Sequence, residues 1–355
     1  MKWLTLLLPF LLAAQDAPLV LHPKVLPMEH LKAAPYVKLA DGSDLTVVET
    51  EAFITQDDGW TWQAHPIFAA GERLKVSNER ALVRTKSGAI ILAFMNIADR
   101  HWAWDEAKNA PQEGAYLHVW TMRSLDEGRT WQDARIVQRG YCGAIRQMIQ
   151  TRSGRVVLAA QNLDPLRARH YTITYSSDDD GLTWNPGNVL DVGGRGHHDG
   201  SIEPTLTELR DGRLWMLLRT NWDFFWQAHS VDEGRYWHSF GPTMVEASSA
   251  PGFLQRLASG RLAFAWNRLY PEGQHSYRRR GDSFSERPAS LHREELSLAF
   301  SNDDGKTWTA PVVIARQKDK WLSYPWIYEP RPGELWITTM QGALRVGLKE
   351  ADFVQ

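Results

Sequence analysis

The sequence predicts an all-β protein, a six-bladed β-propeller, from two interleaved repeats and the lack of any long helical pattern. The first repeat is an eight-residue phrase, Ser/Thr-x-Asp-x-Gly-x-Thr-Trp. The second is an apolar strand, a tight turn ending in Gly, and another apolar strand. Each pair of repeats supplies the strands of one four-stranded sheet, and six such sheets close a ring without free edges.

The eight-residue phrase occurs five times, and we interpret it as a structural turn. Its Asp can accept backbone N–H bonds across the turn, its Gly supplies a positive φ, and its Trp packs under the adjacent strand. Only the fourth copy departs, with Tyr236 in place of Thr. The copies are Thr55–Trp62, Ser124–Trp131, Ser177–Trp184, Ser230–Trp237 and Ser301–Trp308.

The Gly-turn hairpin occurs six times and sets the number of blades. The turn glycines are Gly42, Gly88, Gly154, Gly212, Gly260 and Gly333. The first five each precede a copy of the phrase, whereas the sixth has none. We therefore expect the segment from Leu19 to Leu26 to complete the sixth blade and close the ring.

Two blades carry long insertions, residues 96–118 in the second and 267–293 in the fifth. Long loops on a rigid scaffold are where binding sites are built, and both of these are rich in aromatic residues. We expect them to lie over the mouth of the ring.

Composition and the N-terminus bear on location and partners. The 40 basic and 42 acidic residues form no basic stripe, so we expect no nucleic-acid partner. Lys2, the apolar run 3–12 and Ala13-Ala14 predict a signal peptide over residues 1–17, followed by a single propeller domain over 18–355. The predicted location is secreted or periplasmic, with no membrane span, and the oligomeric state stays open. The lone Cys142 is expected to be a small buried side chain.

Equivalent positions in the repeat predict which side chains share the mouth of the ring. Nine residues before each turn Gly stand Ala33, Glu79, Ile145, Glu203, Pro251 and Tyr324. The ends of the second strands add Asn96, Gln161, Asn162, Arg219, Asn267, Arg268 and Gln341. Carboxylate, phenol, amide and guanidinium groups bind sugar hydroxyls and carboxylates, so a glycan or oligosaccharide is the expected substrate.

These features resemble one family. The eight-residue phrase is similar to the Asp box of the BNR-repeat superfamily that includes the sialidases (neuraminidases). The segment GSIEPTLTELRDGRLWMLLRT resembles the Glu…Arg segment of secreted bacterial exo-sialidases, and LSYPWIYEPRPGELWIT resembles the segment with their nucleophilic Tyr. The resemblance implies that Tyr324 attacks, Glu203 is its base and Arg219 holds a substrate carboxylate. A carboxylate beside a phenol suits this role, because a free Tyr is a weak nucleophile at neutral pH.

Other parts of the family pattern are missing or displaced. The first-blade Arg-Ile-Pro motif is replaced by Lys32-Ala33-Ala34-Pro35, so Lys32, or Arg80 from blade two, is left to supply the first cation. Sialidases hold the substrate carboxylate with three arginines, and Arg293 is the candidate for the third of these. The first blade also has no room for the family's acidic loop residue, which leaves Asp99, Asp105 or Asp199 as the general acid. Glu79 and Arg268 are expected to contact substrate.

The segment Gly196-His197-His198-Asp199-Gly200 is foreign to the family pattern. Two His and an Asp are able to bind a metal or perform acid/base chemistry. Adjacent residues of an extended chain point to opposite faces, so we expect no metal site and no cofactor. His198 is instead a catalytic candidate, with His197 and Asp199 contacting substrate; a purely structural role is the alternative.

Three functional hypotheses remain open. The first is a secreted retaining glycosidase of exo-α-sialidase type that removes a terminal acidic sugar. The second is a glycosidase or lyase acting on a different sugar, with His198 and Tyr324 at the same mouth. The third is a glycan-binding propeller without activity, because fold alone does not establish chemistry.

Overall fold

The computed structural model describes residues 17–354 and has the predicted architecture, a six-bladed β-propeller. Most of the residues predicted to form a signal peptide, 1–16, lie outside the described part. Within residues 17–354 there is no α-helix, only three single 3₁₀ turns at Ile97–Asp99, Asp282–Phe284 and Glu350–Asp352. No helix in this part is long and apolar enough to cross a bilayer.

The strands follow the chain in blade order. Two short strands come first, β1 (Val20–Leu21) and β2 (Leu26–Pro27). Blade one holds β3 (Tyr36–Lys38), β4 (Asp44–Val48), β5 (Glu51–Thr55) and β6 (Gln63–Pro66). Blade two holds β7 (Val76–Arg84), β8 (Ile90–Asn96), the insertion hairpin β9 (Trp104–Asp105) and β10 (Ala110–Pro111), then β11 (Val119–Ser124) and β12 (Gln132–Gln138). Blade three holds β13 (Ile145–Gln150), β14 (Val156–Asp164), β15 (Arg169–Ser177) and β16 (Asn185–Pro186).

The remaining three blades continue in the same way. Blade four holds β17 (Ile202–Glu208), β18 (Leu214–Arg219), β19 (Phe224–Ser230) and β20 (His238–Glu246). Blade five holds β21 (Phe253–Arg256), β22 (Leu262–Trp266), the insertion hairpin β23 (Arg279–Arg280) and β24 (Ala289–Ser290), then β25 (Glu295–Ser301) and β26 (Val312–Arg316). Blade six holds β27 (Ser323–Arg331), β28 (Glu334–Gln341) and β29 (Arg345–Lys349).

The ring is closed by the N-terminal strands, in a way that refines the prediction. β2 pairs with β29 and completes blade six, as expected. β1 pairs instead with β26 and adds a fifth strand to blade five. The predicted closing segment is therefore divided between two neighbouring blades. The first strands of successive blades pack against one another, so they surround the axis as predicted.

The eight-residue phrases connect the third and fourth strands of blades one to five. In each, the Asp accepts the backbone N–H four residues on, for example Thr183 N to Asp179 at 2.8 Å, and the Gly φ lies between 82° and 87°. The five box tryptophans, Trp62, Trp131, Trp184, Trp237 and Trp308, each pack into a different one of the five apolar clusters that join the blades. The boxes are structural turns, as predicted.

Candidate active site

Three inner strands are bulged where they enter the mouth of the ring. The register shifts between Val76 and Arg80 in β7, between Ile145 and Gln147 in β13, and between Ile202 and Thr205 in β17. A bulge locally re-aims side chains and is common beside active sites. In blades two and four, the residues within the bulges include Glu79 and Glu203.

The structure brings Tyr324, Glu203 and Arg219 together as one hydrogen-bonded group. Tyr324 Oη donates to Glu203 Oε1 at 2.8 Å, and Arg219 Nη1 donates to Glu203 Oε2 at 2.6 Å and to Tyr324 Oη at 3.2 Å. All three residues are buried, Arg219 with only 1% of its surface exposed. A phenol, its proton acceptor and a fixed positive charge therefore meet at one point.

The backbone is strained at both Glu203 and Tyr324. Glu203 has a φ of 50° and Tyr324 a φ of 63°, in the left-handed region that side-chain-bearing residues seldom adopt. Both are followed by proline, Pro204 and Pro325, which further restricts the preceding residue. Such strain persists only where the surrounding structure enforces it, and it clusters at functional sites.

The surrounding charges keep Glu203 ionised and Tyr324 neutral. Burial would raise the pKa of Glu203, but the Arg219 charge and the hydrogen bonds from Arg219 and Tyr324 outweigh it and lower that pKa. Burial, and then the Glu203 charge, raise the pKa of Tyr324 above its usual range. A Tyr324 oxyanion therefore forms only if the phenol proton passes to Glu203.

A cavity of about 490 Å³ opens over this group, within the usual size of a small-ligand site. Glu203 and Tyr324 lie on its floor. Its walls are mostly aromatic or imidazole rings and apolar side chains. The other lining residues are Ser77, Asn78, Glu79, Met95, Ile97, Arg100, Trp102, Leu117, Tyr141, Gly143, Gln161, His170, His197, His198, Ile202 and Met340. The blade-two insertion contributes Ile97, Arg100, Trp102 and Leu117, as predicted, whereas the blade-five insertion, also predicted to lie over the mouth, contributes no lining residue and only packs against the wall through Phe284.

Glu79 is the second carboxyl group in the cavity. Burial, followed by the negative charge of Glu203, raises the pKa of Glu79 to about 8. Glu79 is therefore protonated at neutral pH, whereas Glu203 in the same cavity is ionised. Two carboxyl groups whose pKa values are driven apart are a recurring arrangement of acid and base in enzymes.

Arg293 and Ser249 form a layer behind Tyr324. The Arg293 guanidinium lies 5.6 Å from the centre of the Tyr324 ring and donates to Gln341 Oε1 at 2.9 Å and to the Ser249 carbonyl at 2.5 Å. Arg219 Nε and Nη2 both donate to Ser249 Oγ, at 3.1 and 2.8 Å. Arg219 and Arg293 thus both lie beside Tyr324, but neither lines the cavity, and Arg293 Nε has no hydrogen-bond partner among the described residues.

Three other predicted cations lie elsewhere. Arg80 is buried and donates to the carbonyls of Asn78 and Ala33, so it fixes the blade-two bulge and does not reach the cavity. Arg268 lies beside Glu272 and Glu295 and lines a separate groove between blades four and five. Lys32 sits 3.8 Å from the centre of the Phe53 ring, outside the cavity. The expectation that these residues line the mouth was wrong.

None of the three aspartates proposed as general acid lines the cavity. Asp99 accepts a hydrogen bond from Tyr116 Oη at 3.0 Å on the exposed face of the blade-two insertion. Asp105 accepts the backbone N–H groups of Ala107 and Lys108, both at 3.1 Å, and so closes a surface turn. Asp199 is buried and fully engaged, as described next. The prediction of their place was wrong because it followed loop position alone.

The His-His-Asp segment forms part of the cavity wall. Asp199 accepts from Gly200 N, Arg195 N and Ser285 Oγ, which fixes the loop. The His198 ring lines the cavity and stacks on Phe284 of the blade-five insertion, with ring centres 4.7 Å apart. His197 is half-buried and meets Trp104 edge to face. Within residues 17–354, no group of three or more His, Cys, Asp or Glu side chains is arranged to hold a metal ion.

Two residues at the site, Arg146 and His170, were not predicted, and Gln161 was predicted only as a mouth position. Arg146 is buried, with its guanidinium 5.3 Å from the Tyr324 ring centre and 4.3 Å from that of Trp326. Gln161 accepts the backbone N–H of Glu203 at 2.7 Å and contacts His170 Nδ1 at 3.2 Å. Burial lowers the pKa of His170 to about 4. Gln161 stood among the mouth positions, but its bond to the strained Glu203 backbone had no signal in the sequence.

Comparison with known proteins identifies the family to which this architecture belongs. The family model described as "BNR repeat-like domain" matches residues 39–337. No curated protein matches the chain. A protein of unknown function from Dyadobacter fermentans is 17% identical with a TM-score of 0.61, the match covering 94% of this chain and 97% of that one.

Two structures of glycosidases share the fold at lower identity. The NanB sialidase of Streptococcus pneumoniae is 14% identical with a TM-score of 0.60, covering 96% of this chain and 71% of that chain. The GH93 α-L-arabinofuranosidase of Fusarium graminearum, solved with arabinobiose, is 10% identical with a TM-score of 0.61, covering 93% of this chain and 99% of that chain. At these identities the likeness concerns the fold.

Proposed function

Because the chain belongs to the BNR repeat-like family and carries a buried Tyr–Glu pair on the floor of a cavity, we propose that it is a retaining glycoside hydrolase acting on a terminal sugar. The observation that carries this proposal is the 2.8 Å hydrogen bond from Tyr324 Oη to Glu203. A phenol held against an ionised carboxylate is the arrangement of an activated nucleophile.

The proposed reaction has two displacements. Tyr324 Oη bonds to the anomeric carbon as its proton passes to Glu203, and the bond from that carbon to the leaving oxygen breaks. The leaving oxygen takes up a proton from a second group. Water then bonds to the anomeric carbon and returns a proton to that group, while Tyr324 departs and recovers its own from Glu203. Two inversions give net retention of configuration.

The charges and aromatic rings that line the cavity favour an uncharged sugar as the substrate. Arg219 and Arg293 direct their hydrogen bonds to Glu203, Tyr324, Ser249 and Gln341, and are not presented to a substrate carboxylate. Arg100 is the one Arg or Lys among the described lining residues. Glu203 is ionised and would repel an anionic sugar, whereas the aromatic faces of Trp102 and Tyr141 suit the C–H face of a neutral one.

A terminal acidic sugar is the second candidate. It is favoured by the position of Arg219 and Arg293 beside Tyr324, the arrangement implied by the resemblance to sialidases. For this substrate the two guanidinium groups have to exchange Ser249 and Gln341 for the sugar carboxylate. That exchange costs free energy, because buried charges lose their existing hydrogen bonds.

We also propose that the protein is secreted or periplasmic, with residues 1–17 removed and a single domain over 18–355. The charge of Lys2 and the apolar run that follows support this. N-terminal sequencing of the exported protein tests it: a first residue near position 18 supports the proposal, and an intact Met1 contradicts it.

A panel of aryl glycosides tests the activity. It includes neutral pentofuranosides such as the α-L-arabinofuranoside, neutral hexopyranosides, a uronide and the sialoside. Turnover of a neutral member that is lost in Tyr324→Phe supports the principal proposal, and turnover confined to the sialoside supports the second candidate. Glycan binding without turnover supports the non-catalytic alternative and overturns both.

A further inference from the structure

We propose that Glu79 is the acid/base residue of this site, the group that protonates the leaving oxygen and later takes a proton from water. The inference rests on the proposed glycosidase function and supplies the proton donor that the reaction needs. It comes from the position and lack of partners of one side chain, since the family resemblance points to an aspartate on a different blade.

Position is the first argument. Glu79 occupies in blade two the place that Glu203 has in blade four and Tyr324 in blade six, nine residues before the hairpin Gly. The three alternate blades thus each send one reactive group into the same cavity. Glu79 therefore reaches the sugar from a different blade than Tyr324 and Glu203, as a proton donor to the departing oxygen requires.

The local structure holds Glu79 in that direction. Ser77 Oγ donates to the Glu79 carbonyl and accepts from Met95 N at 3.1 Å. Arg80 donates to Asn78 O at 2.8 Å and to Ala33 O at 3.0 Å. The bulge between Val76 and Arg80 is thereby fixed from both sides, with Arg80 turned into protein and Glu79 into the cavity.

The carboxyl group of Glu79 is also unengaged. Among residues 17–354 it makes no side-chain hydrogen bond and no ion pair, although Glu203 close by makes both. Charged or titratable groups that act on Glu79 from the neighbouring strands and loops are Glu203, Arg146, Arg219, Arg293, Tyr324, Tyr141 and Cys142. A partly buried carboxyl without partners is costly to keep unless it serves a ligand.

The alternatives within the cavity are weaker donors. Burial and nearby positive charge lower the pKa of His198, and burial lowers that of His197, so both are neutral at pH 7. His170 is buried and held by Gln161. Glu79, with a pKa raised to about 8, carries a proton to donate across the neutral range.

The test compares two aryl glycosides of the sugar identified in the panel, one with a 2,4-dinitrophenyl group and one with a phenyl group. In Glu79→Gln we expect kcat/KM for the phenyl glycoside to fall by about 10²–10⁴-fold. The dinitrophenyl glycoside should lose less than about tenfold, because its leaving group departs without a proton. Parental kcat/KM for the phenyl glycoside should fall as pH rises through about 8, and this limb should be absent from the residual activity of Glu79→Gln on the same substrate.

Azide provides a second readout. In Glu79→Ala, added azide should restore turnover of the dinitrophenyl glycoside and yield the glycosyl azide with retained configuration. Asp99→Asn and Asp105→Asn are matched controls and should behave as the parent. Equal losses on both substrates, no azide product, or the leaving-group signature in either Asp variant overturns the assignment of Glu79.

Failure of the assignment is distinguishable from failure of the proposed function. If Tyr324→Phe loses both substrates while Glu79→Gln keeps both, the glycosidase stands and Glu79 is not its acid. If the parent turns over no member of the panel, the proposed function fails and the assignment with it.

Discussion

Tyr324 and Glu203 come from different blades, yet their side chains are joined by a 2.8 Å hydrogen bond and both backbones adopt a positive φ. Two strained residues meeting at one cavity floor argue against an incidental wall contact, because strain of this kind costs about 1–3 kcal/mol at each residue. The fold tolerates this strain, and the result is a phenol placed against a carboxylate.

The first prediction concerns Tyr324→Phe. The substitution removes the oxygen proposed to attack and leaves the ring that packs against Arg146 and Arg293. We expect kcat/KM to fall on the order of 10³-fold or more, because catalytic groups that act as a unit lose most of their effect when one member is removed. Circular dichroism should show an unchanged fold, and a variant with close to parental activity would contradict the role of Tyr324.

The second prediction concerns the buried ion pair of Arg219 and Glu203. Arg219→Met leaves the Glu203 carboxylate buried without its cation, so the free energy of unfolding should fall by about 3–5 kcal/mol. The control Arg213→Met breaks the exposed pair with Asp211 and should cost under about 1 kcal/mol. Urea denaturation of both variants measures the difference, and equal costs would contradict the burial argument.

The third prediction concerns the one irregular box. Thr183 Oγ1 donates to Asp179 Oδ2 at 2.6 Å in the third box, a bond that Tyr236 cannot make to Asp232 in the fourth. Since Tyr236 is 59% exposed, Tyr236→Thr loses little apolar burial and should stabilise the protein by about 1 kcal/mol. Thermal unfolding measures the gain, which should vanish in an Asp232→Ala background; a gain that persists there would point to another cause.

The fourth prediction concerns pH and His170. Burial lowers the pKa of His170 from its ordinary 6.5 to about 4, so the unfolded chain binds a proton there at a higher pH than the folded one. The stability contributed by neutral His170 is present above pH 6.5 and is lost as pH falls toward 4, by roughly 3 kcal/mol. His170→Gln should lose less stability than the parent over that window in urea titrations, and identical pH dependence would contradict the assignment.

The repeat made much of this site predictable. Equivalent offsets from the hairpin glycines placed Glu203 and Tyr324 at one level of the ring, and the structure has them there. Arg219 followed because the end of the second strand pairs with the entry of the first, as Ile202 pairs with Arg219. Closure by the N-terminal segment followed from the missing fourth strand of blade six.

The predicted mouth positions are wrong where a one-residue change of register turns a side chain to the opposite face of the sheet. A bulge between Ile145 and Gln147 brings Arg146, rather than Ile145, beside Tyr324. Arg268 lies one residue past Asn267, whose side chain turns inward to the carbonyls of Glu295 and Leu322, so Arg268 faces the outer groove. Because strand side chains alternate, counting from a turn cannot detect such slips.

Trapping of the covalent intermediate tests the central claim most directly. The parent protein is incubated with a 2-deoxy-2-fluoro glycoside of the sugar identified in the panel, carrying a dinitrophenyl leaving group, and the labelled peptide is mapped by mass spectrometry. We predict one fluoroglycosyl group on the Tyr324 oxygen, and no label in Tyr324→Phe. A label on Glu79 or Glu203, or turnover with an inverted product, would contradict attack by the phenol.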